Sequence, residues 1–391
     1  MKPVRRVVMV LWDGFGSCFL RHLPKLPNLK RLADRSVRFP QCRTVYPTVT
    51  NVAWTAMMTG AYPEKTRNLA YYWDREDDVV YGLHRRYNLE SIVEALARAG
   101  KTSASVGMFI LLNHGLRWEH EGGEGRLYLQ PDDGFDVRID EAIRLLSGEY
   151  GYVPDFLTVY TSMLDGLAHR VGPGHPNILV LLKHLDEHLG RLLDFLDAHP
   201  DRDETAVIFA ADHGFSPAQI SIRDDITQRL AASGYRITWL STGESAPEDA
   251  EIVGVGPGRT ASIYFVRRRT DPPRTFTAAE REEVRRILEK TPHVDKVLGP
   301  DELKDLHTDT RLGDLVLEAE IPYAFWPRTT ETLRGTHSSL AEQFVPCFLA
   351  VPGIPPAECT GGRTIDIIPT VAALLGAPPP KDAQGVPLLP R

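Results

Sequence analysis

The sequence predicts an α/β fold: a doubly wound, mostly parallel sheet flanked by helices, with a smaller inserted cap. Short, nearly continuous apolar runs recur at residues 7–11, 156–160, 206–211 and 345–351, the pattern of strands buried on both faces of a parallel sheet. Segments of helical period lie between them, so strand and helix alternate. The chain of 391 residues is 42% hydrophobic and 25% charged, which suits a large globular core and excludes disordered, collagen-like and coiled-coil classes.

Taken in order, the run at residues 7–11 ends at Trp12-Asp13-Gly14, a strand followed by a turn. Residues 52–59 form a short helical run behind Thr50. A helix is predicted to begin near Asn88, a good N-cap, with Leu89, Ile92, Val93 and Leu96 on one stripe and Gly100 past its end. From Ile178 the positions Leu181, Leu182, Leu185, Leu189, Leu192, Leu193 and Leu196 keep the 3.6 period, and charged residues take the other face. Residues 215–334 change character: 242–258 is rich in Gly, Ser, Pro and Glu, and the helical stretch 278–290 is highly charged. That segment reads as an inserted cap, leaving residues 1–214 and 335–391 as the catalytic core. A short apolar helix over 365–376 closes the pattern. No repeat is present.

The chain carries 45 basic and 52 acidic side chains, a net charge of −7, with no long basic tract, so no nucleic-acid polymer is expected as partner. No stretch approaches the about 18 apolar residues of a membrane span. The six-residue apolar run behind Lys2, Arg5 and Arg6 stops at Asp13, shorter than a secretory segment. Cys18, Cys42, Cys347 and Cys359 form no C-x-x-C pair, which predicts reduced thiols and a cytoplasmic setting. The oligomeric state is unknown from sequence.

In an open α/β sheet, ligands bind beyond the carboxyl ends of the strands. Asp13 follows the first run, Asp165 comes five residues after Tyr160, and Asp212-His213 follows Ala211. Asp165 and His169 stand at i and i+4, so a helix there would aim a carboxylate and an imidazole at one point, a set suited to zinc. The ordinary alternative is a solvated helix start. His337, in Gly-Thr-His-Ser, offers a third imidazole or a plain loop histidine. Thr50 sits at a helix start in Tyr-Pro-Thr-Val-Thr-Asn, where free N–H groups suit a phosphoryl oxygen. Its hydroxyl is either a simple N-cap or a nucleophile sharpened by metal coordination.

These elements together resemble the alkaline phosphatase superfamily, and within it the type I phosphodiesterase/nucleotide pyrophosphatase branch, including phosphonoacetate hydrolases. The matching residues are Asp13 in Leu-Trp-Asp-Gly-Phe-Gly, Thr50, the Thr-Gly-Ala-Tyr-Pro-Glu stretch from Thr59, Asp165 to His169, Asp212-His213-Gly214 and Gly335-Thr-His337. They occur in the family's order, and Ile-Asp-Ile-Ile-Pro-Thr from Ile365 is similar to its closing helix.

The resemblance implies two zinc ions, with manganese or iron able to occupy similar sites: Asp165, His169 and His337 would hold one, and Asp13, Thr50, Asp212 and His213 the other. It implies hydrolysis of phosphodiester or pyrophosphate bonds in a small phosphorylated substrate of nucleotide type, through a covalent phosphothreonine on Thr50. Phosphonoacetate hydrolysis and phosphomonoesterase activity are the alternatives. The related phosphoglycerate mutases use Ser and a larger insertion, and the sulfatase signature C/S-x-P-x-R is absent around Thr48-Val-Thr50. The chain departs from the branch where many members place a phosphate-binding Asn about twenty residues after the nucleophile. The stretch here is Thr66-Arg-Asn-Leu-Ala-Tyr-Tyr-Trp-Asp, which aligns Ala70 or Tyr71 there. Asn68 and Asn51 are the candidate phosphate donors. Tyr71, Tyr72 and Trp73 either stack on a base or, the favoured reading, pack beneath the cap.

Overall fold

The computed structural model describes residues 4–132, 134–266 and 275–389. An eight-stranded sheet forms its centre, in the spatial order Ala357–Glu358, Val37–Arg43, Phe344–Ala350, Thr205–Ala210, Arg6–Trp12, Phe156–Thr161, Ser103–Val106 and Arg126–Leu129. The pairings are parallel except those made by Phe344–Ala350, which runs antiparallel to both neighbours. The run at 345–351 is therefore a strand of opposite direction to the other three. Apolarity on both faces is common to every central strand and does not encode its direction. Every residue of Arg6–Trp12 and Phe156–Thr161 is buried, because helices cover the sheet.

Pro27–Asp34, Phe135–Leu146 and Pro176–Ala198 pack together as one helical group, while Thr50–Thr59, Ile92–Arg98 and Ile367–Leu374 form another. The long helix buries Ile178, Leu182, Leu185, Leu189, Leu192, Leu193 and Leu196, the periodic stripe. The helix expected from Asn88 begins instead at Ile92 with Ser91 as N-cap. The Ser91 hydroxyl accepts from the Glu94 N–H at 3.2 Å, and the Ser91 N–H donates to the Glu94 carboxylate at 2.8 Å. This reciprocal box satisfies two free helix-end donors, which a lone Asn does not.

Within residues 215–334 a second sheet of five strands runs in the order Ile237–Trp239, Ile252–Val255, Thr260–Phe265, Leu315–Ala319, Val294–Leu298. It has its own apolar cluster, with Ile226 and Leu230 from one helix and Val284 and Leu288 from another packed with Ile263 and Leu317. The chain enters through Ser216–Ala218 and returns through Arg334–Thr336, and these two segments pair antiparallel. All four cysteines are free, and no helix of the described residues is long and apolar enough to cross a membrane.

Candidate active site

Strand register decides where the site forms. Leu11 lies opposite Tyr160 on one side and Ala210 on the other, so three adjacent parallel strands end at one level. Asp13, Asp165 and Asp212 leave the sheet from that edge. The loops meet closely: a Cβ on Gly16 would collide with Gly214 Cα, and the Gly14 N–H donates to Asp212 Oδ1 at 2.9 Å. Asp165 and His169 lie on the helix Met163–Val171, as the i, i+4 spacing predicts. His337 follows Arg334–Thr336, the strand on which the inserted segment returns.

Thr50 opens the helix Thr50–Thr59, but the N-cap is Val49, and no side-chain cap hydrogen bond forms. The Thr50 hydroxyl is thus not spent on capping. It lies 3.1 Å from His213 Nε2.

The three imidazoles are oriented by main-chain carbonyls. Nδ1 of His169 meets the Gly335 carbonyl at 3.1 Å, Nδ1 of His213 the Gly214 carbonyl at 3.0 Å, and Nδ1 of His337 the Thr48 carbonyl at 2.6 Å. A carbonyl only accepts, so each Nδ1 carries a hydrogen, and in the neutral form of such a ring the lone pair lies on Nε2. Yet His169 Nε2 and His337 Nε2 are 3.2 Å apart. Two lone pairs at that distance repel unless a proton or a cation lies between them.

Carboxylate oxygens converge on the same atoms. Asp165 Oδ1 is 3.4 Å from His169 Nε2 and 3.8 Å from His337 Nε2; Asp13 Oδ1 and Asp212 Oδ2 are 3.4 and 3.3 Å from His213 Nε2. These three oxygens are buried with no hydrogen-bond partner among the described residues. Asp165, His169 and His337 form one group able to hold a metal ion, and Asp13, Asp165 and His213 a second, so Asp165 is shared. Orphaned acceptors that gather without a donor are what a bound cation satisfies. The donor set of imidazole and carboxylate fits zinc.

The charge balance agrees. Burial, reinforced by Asp212 and Asp165, raises Asp13 well above the usual carboxylate range, and burial pushes Asp212 up to about 8. Burial also acts to raise Asp165, but contacts with His169, His337 and His213 hold it below its ordinary value. Burial and two neighbouring imidazoles lower His337 far enough to keep it neutral. Three carboxylates in one buried cluster call for positive charge, and no Lys or Arg is among the described residues lining the cavity.

That cavity, of about 140 Å³, is lined by Thr50, Tyr71, Leu83, Asp165, His169 and His337 among others. It is far smaller than a pocket for a whole drug-sized ligand. A larger cleft beside Arg35, Asp197 and Arg202 holds, among the described residues, no group of three side chains able to ligate a metal. Of the candidate substrate contacts, only Tyr71 lines the cavity. Asn68 is fully buried, with its amide donating to Thr55 Oγ1 at 2.7 Å. The Asn51 amide donates to the His84 carbonyl, pinning the loop that carries Leu83. Tyr72 and Trp73 are buried, and Trp73 packs edge-on against Tyr264 of the second sheet, in keeping with their use as packing.

Two contributors escaped the sequence reading. The Tyr160 hydroxyl donates to Asp13 Oδ2, and the Thr48 carbonyl orients His337. Tyr160 sits inside an apolar strand run, where nothing but its hydroxyl distinguishes it from core.

The model of the family described as type I phosphodiesterase/nucleotide pyrophosphatase matches residues 7–340. The chain belongs to that family. It is 23% identical to mouse ectonucleotide pyrophosphatase/phosphodiesterase family member 3, over 77% of this chain and 33% of that protein. It is 24% identical to the venom phosphodiesterase of Macrovipera lebetinus, over 53% of this chain and 25% of the relative. The match therefore spans a quarter to a third of these curated relatives' length. Among solved structures, human ectonucleotide pyrophosphatase/phosphodiesterase 5 superimposes with a TM-score of 0.71 at 18% identity, covering 95% of each chain. The murine protein of that name, as an inactive Thr-to-Ala variant in complex with AMP, gives 0.70 at 19% identity, covering 96% of each chain.

Proposed function

We propose that this chain is a two-metal hydrolase cleaving phosphodiester or pyrophosphate bonds of small nucleotide-type substrates through a phosphothreonine at Thr50. The single observation that carries the reading is the gathering of orphaned carboxylate oxygens and bare imidazole nitrogens beside an uncapped threonine hydroxyl. Asp165, His169 and His337 would hold one ion, and Asp13, Asp212 and His213, with Thr50, the other. When bound, the pair of dications would neutralise charge on phosphorus and on the entering and leaving oxygens.

The chain's own residues account for the rest. Thr50 Oγ forms a bond to phosphorus as the bond to the leaving oxygen breaks, and the leaving group departs as an alcohol or phosphate that takes up a proton. Water then attacks phosphorus, the Thr50 Oγ–P bond breaks, and a phosphate monoester is released. The free N–H groups of the helix Thr50–Thr59 favour the anionic phosphoryl group. Residues 215–334 act as the cap that roofs this centre. The bound AMP and the inactivating Thr-to-Ala change named for the murine structure support the same reading. Among the described residues the cavity lining has no Lys or Arg for the carboxylate of phosphonoacetate, so the ester reading is preferred over carbon–phosphorus cleavage.

The test is an activity panel on metal-quantified protein. Nitrophenol release from bis(p-nitrophenyl) phosphate should exceed release from p-nitrophenyl phosphate, and acetate release from phosphonoacetate should be negligible. A reversed ranking would transfer the protein to one of the two alternatives.

A further inference from the structure

The segments that carry Thr50 and His337 meet at Thr48. Its carbonyl holds Nδ1 of His337 at 2.6 Å, and two residues further on the chain reaches Thr50. The side chain grips the facing segment twice: the Thr48 hydroxyl donates to the Ser339 carbonyl at 3.0 Å and accepts from the Ser338 N–H at 3.0 Å. The Thr48 N–H adds a bond to the Ser338 carbonyl at 3.3 Å. Thr48 is fully buried, so these bonds are made away from bulk water. A hydroxyl donates and accepts at once, whereas a valine of the same shape does neither.

The pair Ser338-Ser339 is braced in turn from the inserted segment. Thr260 Oγ1 donates to Ser338 Oγ at 2.9 Å, and Arg259 Nε donates to Ser339 Oγ at 3.3 Å and lies 3.1 Å from Glu342 Oε1. Glu342 Oε2 accepts from the Ser339 N–H and hydroxyl at 2.9 and 2.7 Å, and the Glu342 carbonyl accepts from the Gly214 N–H at 2.8 Å. Ser338 is held at φ of 109°, a conformation that residues bearing a side chain seldom adopt, so its contacts and not local preference set its course. These braces make residues 338–339 a fixed anchor, and the Thr48 hydroxyl is the side-chain link that fastens the Thr50 segment to it.

We propose that Thr48 is a positioning residue: through its hydroxyl it fixes the spacing between Thr50 and the ion that Asp165, His169 and His337 would hold. The proposal rests on reading this cluster as a two-metal centre. The effect passes through the Thr48 carbonyl, whose place sets the direction of the His337 ring. Partners that orient a ligating histidine in this way contribute about 10–100-fold in metal affinity. Asp13, Asp212 and His213 lie outside this clasp, so the ion they would hold binds as before.

The experiment compares full-length wild type with Thr48→Val, which keeps the shape and removes the hydroxyl, and with Thr48→Ser, which restores it. Zinc dissociation constants of both sites come from competition with a chromophoric chelator. Solvent exchange of the His337 Nδ1–H is read by NMR on protein stripped with EDTA, the resonance being assigned by its loss in His337→Asn. The expected result in Thr48→Val is one zinc constant weakened about 10–100-fold and the other unchanged, with the His337 proton exchanging about tenfold faster. Thr48→Ser should match wild type in both, and adding Thr48→Val to His337→Asn should bring no further loss of zinc affinity. Unchanged constants overturn the proposal. So does equal weakening of both sites, the sign of general loosening, or a serine variant as weak as the valine one. Thr48→Ala, with the same expectations, replaces Thr48→Val where the latter does not fold. Should wild type bind no zinc, the proposed function falls, and the proton exchange still decides the role of Thr48: equal rates in wild type and variant end it.

Discussion

Chelation gives the most quantitative prediction. Asp13 Oδ1, Asp165 Oδ1 and Asp212 Oδ2 are buried without partners among the described residues, and each such acceptor costs about 1–3 kcal/mol, more when ionised. Cations that satisfy them bind the folded chain and not the unfolded one. Two ions, each present at about 100 times its dissociation constant, then add about 5 kcal/mol of stability. A chain of 391 residues unfolds with an entropy of about 0.8 kcal/mol per kelvin. Loaded protein should therefore melt about 6 °C above protein stripped with EDTA. The assay is differential scanning calorimetry of wild type and of Asp165→Asn, each stripped and then titrated with zinc. Because Asp165 belongs to both ligand groups, the variant should lose most of the shift. A shift below about 1 °C in wild type, or an equal shift in the variant, would refute the argument from orphaned oxygens.

Other outcomes follow from particular contacts. A Cβ on Gly335 would collide with the Ala168 carbonyl oxygen, pushing the helix that bears Asp165 and His169 away from His337; Gly335→Ala should bind about one zinc per chain in place of two, and full stoichiometry by atomic absorption would contradict this. Glu318 is buried in the second sheet, and burial foremost, with the charge of Glu342, raises it to about 7. A carboxyl raised on folding is stabilising while protonated: its contribution is complete below about 4.5 and is lost as pH climbs through about 7. Glu318→Gln, which keeps an acceptor for the Leu340 N–H, should thus gain about 3 kcal/mol relative to wild type between pH 4.5 and pH 8.5, read from urea midpoints; a pH-independent difference would count against it. Ser91→Ala removes the capping box of Ile92–Arg98 and should cost about 1 kcal/mol in the same assay, a result at the level of noise arguing that the helix end is held by packing alone.

Much of this architecture was legible in the sequence because burial on both faces writes a continuous apolar run, and four such runs stand where central strands form. Direction was not legible: the strand Phe344–Ala350 is antiparallel, and only its connections in space reveal that. Helix ends failed for a local reason, since Asn88 and Ser91 are both good caps and only the reciprocal bond with Glu94 distinguishes them. In the site, strand ends and the i, i+4 pair located the acidic and imidazole groups, whose spacing follows from helix and sheet geometry. The phosphate-donor assignments to Asn51 and Asn68 rested on sequence offset, and both amides are occupied by partners elsewhere. What no linear pattern encodes is the orientation of the histidines by three carbonyls, or the fastening of Thr48 to Ser338 and Ser339.

The central claim is geometric, and anomalous diffraction from a zinc-soaked crystal tests it most directly. Two peaks should appear, one bounded by Asp165, His169 and His337 and the other by Asp13, Asp212 and His213 with the Thr50 hydroxyl alongside. A lone peak, or zinc bound only at surface residues away from Thr50, would contradict it.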